Sequence, residues 1–212
     1  MTLAVWLMFA EIVRPRLPAV PDNATAALVA AAERDRAIWA ALLGMVRGDL
    51  WTDCALTYSD LFWPSGAIDQ QERLEAAHRA RTLAKLALRY SPHAARAWLL
   101  VAGYDSLTDK LDSSSAAALK MSYYTGRNQA ELTPLRLWVS MWTGAIEDAE
   151  IRQMVDREIR TVITDRPELK PVIGAAYRLA SAPGRRVIEA TLAELDPKFL
   201  SDIRAGNAGQ AR

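Results

Sequence analysis

Few residues in this chain are equipped for chemistry. Cys54 is the single cysteine, and His78 and His93 are the only histidines. One cysteine excludes an intrachain disulfide, and two histidines leave any metal site dependent on carboxylates. Cys54 shares a helical face with Leu50 and Tyr58, the setting of a buried structural thiol rather than a nucleophile. His78 falls among charges on a long helical run, and His93 follows Pro92 in a turn, so both are expected to be solvated. Asp105, Asp109 and Asp112 gather oxygen atoms beside Ser106 and Ser113 to Ser115, but without the spacing of a calcium loop. A polar loop is the expectation there. The chain has no Gly-rich phosphate loop, no G-x-S-x-G elbow and no H-E-x-x-H pair. A chain without catalytic residues, metal ligands or a cofactor is therefore expected.

Other combinations suit binding better than catalysis. Tyr123, Tyr124 and Arg127 stand beside a loop at Gly126, a mixture enriched at protein interfaces. Their competing role is the packing of an aromatic helix end into its own domain. Arg47-Gly48-Asp49 spells an integrin-type tripeptide, but it sits at a helix junction and is read as chance. Trp98, Trp138 and Trp142 lie on predicted inward faces and are assigned to the core. With 26 basic and 25 acidic residues interspersed, the net charge is +1, which offers no electrostatic footprint for nucleic acid.

The elements that must position these residues read as helices throughout. Hydrophobic residues make up 51% of the chain, and the ten prolines and ten glycines fall mostly between periodic runs. Few alternating β-branched runs exist, so the expected class is all-α. Asp22 or Asn23 caps a helix running to about Arg47. Asp49 caps the next, which ends near Trp63-Pro64, and Pro64-Ser65-Gly66 is a turn. Residues 69–91 form a long helix with Ala80, Ala84, Ala87 and Leu88 on one face. Ser91-Pro92 stops it, because proline lacks the amide and disfavours helix at the residue before it. A partner helix follows over 94–108, its Trp98 expected to bury against the alanine face. Further helices are expected over 114–124 and from Thr133-Pro134, Glu147, Glu168, Ser181 and Asp196-Pro197. The helix carrying Ile151, Met154, Val155, Ile159, Val162 and Ile163 has the cleanest periodicity.

Ala80, Ala87, Leu88, Tyr90, Pro92, Trp98, Val101 and Ala102 stand in an order and spacing that resembles the tetratricopeptide repeat, across one repeat boundary. The resemblance is degenerate. No second copy is as clean, and Ser113 to Ser115 arrive where a partner helix should already be under way. It implies antiparallel helix pairs stacked as a short irregular array, with a groove that holds a partner segment. It also implies that Arg96, Leu99, Gly103 and Ser106 face that groove. The alternative is a helical hairpin in an irregular bundle.

Residues 1–14 are an apolar segment, too short for a full span of about 20 residues. They resemble a truncated signal anchor, or else form an amphipathic or buried helix. Pro15, Pro18 and Pro21 make residues 15–22 a linker, 23–205 a helical domain and 206–212 a disordered tail. This layout suggests a protein-interaction or assembly module at a cell envelope, with membrane association through residues 2–13. A cytoplasmic location is the alternative. The competing functions are a structural subunit of a larger complex and a carboxylate-dependent hydrolase on a helical scaffold. The expected partner is a protein, bound through Arg96, Leu99, Gly103, Ser106, Tyr123, Tyr124 and Arg127.

Overall fold

The computed structural model describes residues 2–17, 21, 23–63, 69–108 and 113–210. Among these the protein is all-α, with twelve α-helices, four short 3-10 turns and no strand. The chain divides into two compact units, Met1–Leu132 and Thr133–Arg212, where a single helical domain over 23–205 was expected. The Pro64-Ser65-Gly66 turn, Pro18 of the linker, Asp109 and Asp112 lie outside the described residues.

The first unit holds α1 (Thr2–Val13), α2 (Ala24–Ala32), α3 (Arg34–Gly44), α4 (Gly48–Leu56), α5 (Gln70–Tyr90), α6 (Ala95–Thr108) and α7 (Ser113–Thr125). The run expected to be one helix from Asn23 to Arg47 breaks at Glu33, whose backbone N–H caps α2 on the Ala30 and Ala31 carbonyls. Asn23 provides the N-cap of α2, its Oδ1 accepting from the Ala26 N–H at 2.9 Å. Asp49 lies in the first turn of α4 without serving as its cap.

Long helix α5 begins at Asp69, whose carboxylate accepts from the Gln71 N–H. Its Ala77, Ala80, Ala84 and Ala87 are wholly buried, at the i, i+3, i+7, i+10 spacing of one helix face. That stripe of small side chains lets α4 and α6 pack closely on α5. The approach is tightest at Gly48. A Cβ there would stand 2.8 Å from the Ala87 carbonyl oxygen, a backbone atom that cannot step aside.

The second unit holds α8 (Thr133–Trp142), α9 (Ala149–Asp165), α10 (Lys170–Leu179), α11 (Ala182–Leu195) and α12 (Pro197–Gln210). Asp148 caps α9 through the Glu150 and Ile151 N–H groups, and Ser181 caps α11. Ile151, Val155, Ile159 and Val162 of α9 are buried as their periodicity predicts, facing α11 with its buried Ile188 and Leu192. Leu135 and Val139 of α8 are buried too. Trp138 and Trp142, expected in the core, are half-buried and stack on each other at 4.8 Å. The tail expected to be disordered from Gly206 is helical to Gln210.

Two glycines should respond oppositely to a methyl group. Gly48→Ala should destabilise the protein by roughly 1–3 kcal/mol, the usual cost of overpacking. Gly206 is helical, with nothing within 4 Å of an added Cβ, so Gly206→Ala should stabilise by up to about 1 kcal/mol. Urea denaturation of both variants checks this, and a shift of the same sign in the two would contradict the packing described.

Candidate interaction surfaces

The sequence assigns partner contacts to α6, and the structure places most of those residues inside. Leu99, Gly103 and Ser106 are buried. They are enclosed by the helices that pack on α6, namely α4, α5 and α7. Arg96, at the edge of that face, reaches Asp53 of α4 at 3.7 Å. As packed, Leu99, Gly103 and Ser106 offer no surface to a partner. Trp98 is half-buried instead of lying in the core, and its Nε1 donates to the Pro92 carbonyl at 2.7 Å, closing the turn before α6. Tyr123 is buried, while Tyr124 and Arg127 are exposed. The seven assigned residues therefore do not form one surface.

The remaining chemical candidates are structural. Cys54 is buried, and burial pushes its thiol up to about 12, far from a reactive thiolate. Asp105 is buried in an ion pair with Arg81 of α5 and accepts from Ser114 Oγ at 2.9 Å. No group of three or more His, Cys, Asp or Glu residues that could hold a metal occurs among the described residues. Arg47 and Asp49 pair with each other, while Gly48 is buried between α4 and α5, so the integrin-type tripeptide is not displayed.

An exposed apolar surface lies on the first three helices. The side chains of Trp6, Met8, Phe9 and Ile12 on α1, Leu28 and Val29 on α2, and Trp39 and Leu42 on α3 are 50–66% exposed, as are Met45 and Val46 just after it. Elsewhere among the described residues, large hydrophobic side chains are similarly exposed only at Tyr90, Tyr124 and Leu179. Trp39 and Leu42 stand three residues apart on α3, opposite its buried Ala37, Ala40, Ala41 and Gly44. Met45 has φ 38°, a conformation that disfavours any side chain but suits glycine. Periodicity could have revealed this stripe, but α3 is apolar on both faces, so the pattern alone does not say which face is covered.

What holds this face in shape is a set of ion pairs under α1. Trp6 Nε1 donates to the Leu43 carbonyl at 2.8 Å. Arg14 Nη1 reaches Asp49 at 3.0 Å, and its Nη2 reaches Asp53 at 2.7 Å. Arg47 joins Glu11 at 2.7 Å and Asp49 at 2.6 Å, linking α1 to the start of α4. Arg36 donates to the Val13 and Ile12 carbonyls, capping the C-terminal end of α1. Helix α1 is thus docked on α3 as part of the first unit. It has 12 residues, and no helix among the described residues is long and apolar enough to cross a membrane.

The charges of this network respond to their surroundings. Burial pushes the Asp53 carboxyl up, against the pull of Arg14 and Arg96. The hydrogen bond from Arg47 holds the Glu11 carboxyl below its usual range. A depressed carboxyl contributes stability above its unfolded value, lost as pH falls through the folded one. Wild type should therefore exceed Glu11→Gln in stability by no more than about 1 kcal/mol at neutral pH, since Glu11 is an exposed pair member. That gap should close below about pH 4. Thermal melts of both proteins across this range check it, and a gap that persists or widens at acid pH would contradict the Arg47–Glu11 link.

No protein-family model, curated protein or solved structure matches the chain. The repeat resemblance therefore rests on the residues around Ser91-Pro92 alone.

Proposed function

We propose that this protein is a non-catalytic interaction module that docks a partner protein through the apolar face of α1, α2 and α3. One observation carries the reading: ten large apolar side chains, each at least half exposed, fall within residues 6–46. Monomeric soluble proteins rarely expose contiguous apolar patches larger than a few hundred Å² unless the patch is used. Two tryptophans and two methionines among the ten match the enrichment of these residues at protein interfaces.

Charge favours a protein over a lipid surface. Interfacial membrane helices combine an apolar face with free basic residues. Here Arg14, Arg36 and Arg47, which flank the face, are engaged by carboxylates or carbonyls of the same unit. The collar that would attract anionic lipid is largely neutralised. The docking face also differs from the groove suggested by the repeat resemblance, since Leu99, Gly103 and Ser106 of that groove are buried.

A photo-crosslinking amino acid placed at residue 39 or 42, in the full chain within its native cells, tests the reading. The expected result is one protein adduct shared by both positions and missing from residue 78, an exposed control site on α5. Trp39→Asp with Leu42→Asp should abolish complex formation with that protein and leave the thermal midpoint within about 2 °C, since both side chains are exposed. Adducts formed equally from residue 78 would overturn it. So would flotation of the chain with phosphatidylglycerol vesicles in place of any protein adduct.

A further inference from the structure

The second unit carries an open groove that the docking face on α1–α3 does not use. It has a volume of about 520 Å³ and lies between α9 and α11, within the 300–1,000 Å³ range common to ligand sites. Its floor is apolar. Ile146, from the 3-10 turn Gly144–Glu147, is wholly buried, and Val187 stands beside it on α11. Pro183, Val187 and Thr191 recur every fourth residue, so the α11 wall runs about 12 Å, two helical turns. Ala190 leaves the upper wall low, and the rim residues Arg152, Gln153 and Arg186 are exposed.

The polar groups of the groove are unequal. Asp156 is already engaged: one oxygen accepts from Thr191 Oγ1 at 2.7 Å and the other from Arg160 Nε at 2.9 Å. Arg152 is braced, its Nη2 donating to the Glu147 carbonyl at 3.0 Å and its Nε to that of Ile146 at 3.4 Å. Its Nη1 makes no hydrogen bond among the described residues. Arg186, on the opposite wall, has no hydrogen bond or ion pair to any of them. An apolar trough thus runs between one braced and one unengaged guanidinium, and its carboxylate is occupied.

We propose that the groove between α9 and α11 is a second docking site, for an acidic amphipathic helical segment of a partner protein. Apolar side chains of the segment at i, i+3 and i+4 spacing lie on Pro183, Val187 and Ala190, as in other helix-in-groove contacts. Its carboxylates pair with Arg152 and Arg186, guanidiniums being suited to bidentate carboxylate binding. The openness of the groove along two turns favours a helix over an enclosed small molecule.

The test uses the full ¹⁵N-labelled chain and two synthetic helical peptides. Both carry leucines at i, i+3, i+4 and i+7, one flanked by glutamates and the other by glutamines. The glutamate peptide should produce saturable shifts confined to Arg152, Gln153, Arg186 and Ala190. The glutamine peptide should bind about tenfold more weakly, and Arg186→Gln should weaken the glutamate peptide about fivefold or more with the thermal midpoint unchanged. Ala190→Glu should also block binding, through repulsion on the same wall. Equal affinity for the two peptides, no effect of Arg186→Gln, or shifts on α1–α3 would overturn the proposal. The same shifts with laurate, at an affinity matching the glutamate peptide, would overturn it in favour of a small amphiphile.

Discussion

A helix with small and apolar residues around its whole circumference has to be enclosed, and Ala95–Thr108 is such a helix. Ten of its fourteen residues are buried. Helices α4, α5 and α7 all pack against it. Enclosure forces the remaining polar groups to find partners inside. Tyr104 donates to the Ala55 carbonyl at 2.7 Å, Ser115 to that of Ala102 at 3.0 Å, and Asp105 takes Arg81 and Ser114. These contacts bind α6 to each of its neighbours in turn. Phe62 stacks on Tyr104 at 4.9 Å and carries the packing out to the 3-10 turn that α2 rests on.

With α6 enclosed, the outer helices have little apolar surface left to cover. Helix α3 buries only alanines and a glycine, and α2 only two alanines. Leu28, Val29, Trp39 and Leu42 face outward, while Ile38 and Leu43 pack against the core. Helix α1 is tied down by guanidinium pairs and backbone hydrogen bonds, with Ala10 fully buried and Val13 packed against the same cluster. The first unit therefore presents part of its large apolar side chains outward on α1–α3, over the alanine-lined buried faces of α2 and α3. Such an arrangement supports the proposed docking role.

How far the sequence discloses this depends on the element. The all-α class, the α5–α6 break at Ser91-Pro92 and the caps at Asn23 and Ser181 are local effects of proline, alanine spacing and capping side chains, and they are legible. So is the buried face of α9. What is not legible is which helix covers which face. The spacing of Leu99, Gly103 and Ser106 is correct for one side of α6, but only the packing of the neighbouring helices decides that this side is closed. Trp98 misleads for a related reason. Its size suggests a core anchor, whereas its N–H is satisfied by the Pro92 carbonyl at the mouth of the turn. The apolar residues 2–13 read as a separate segment because the partners that tie Glu11 and Arg14 to α4 and the residue before it lie 35 or more positions away. The α9–α11 groove was equally hidden, because Arg186 is remarkable only once its lack of a partner is known.

The central claim is that the outward apolar face of α1–α3 is a docking surface. Hydrogen–deuterium exchange resolves it most directly, comparing the purified chain with the same chain in the complex isolated from its native cells. The account predicts slowed exchange in residues 6–12 and 39–46 in the complex, with α5 and α6 unchanged. Exchange in those two segments that is identical in the free and complexed chain would contradict it.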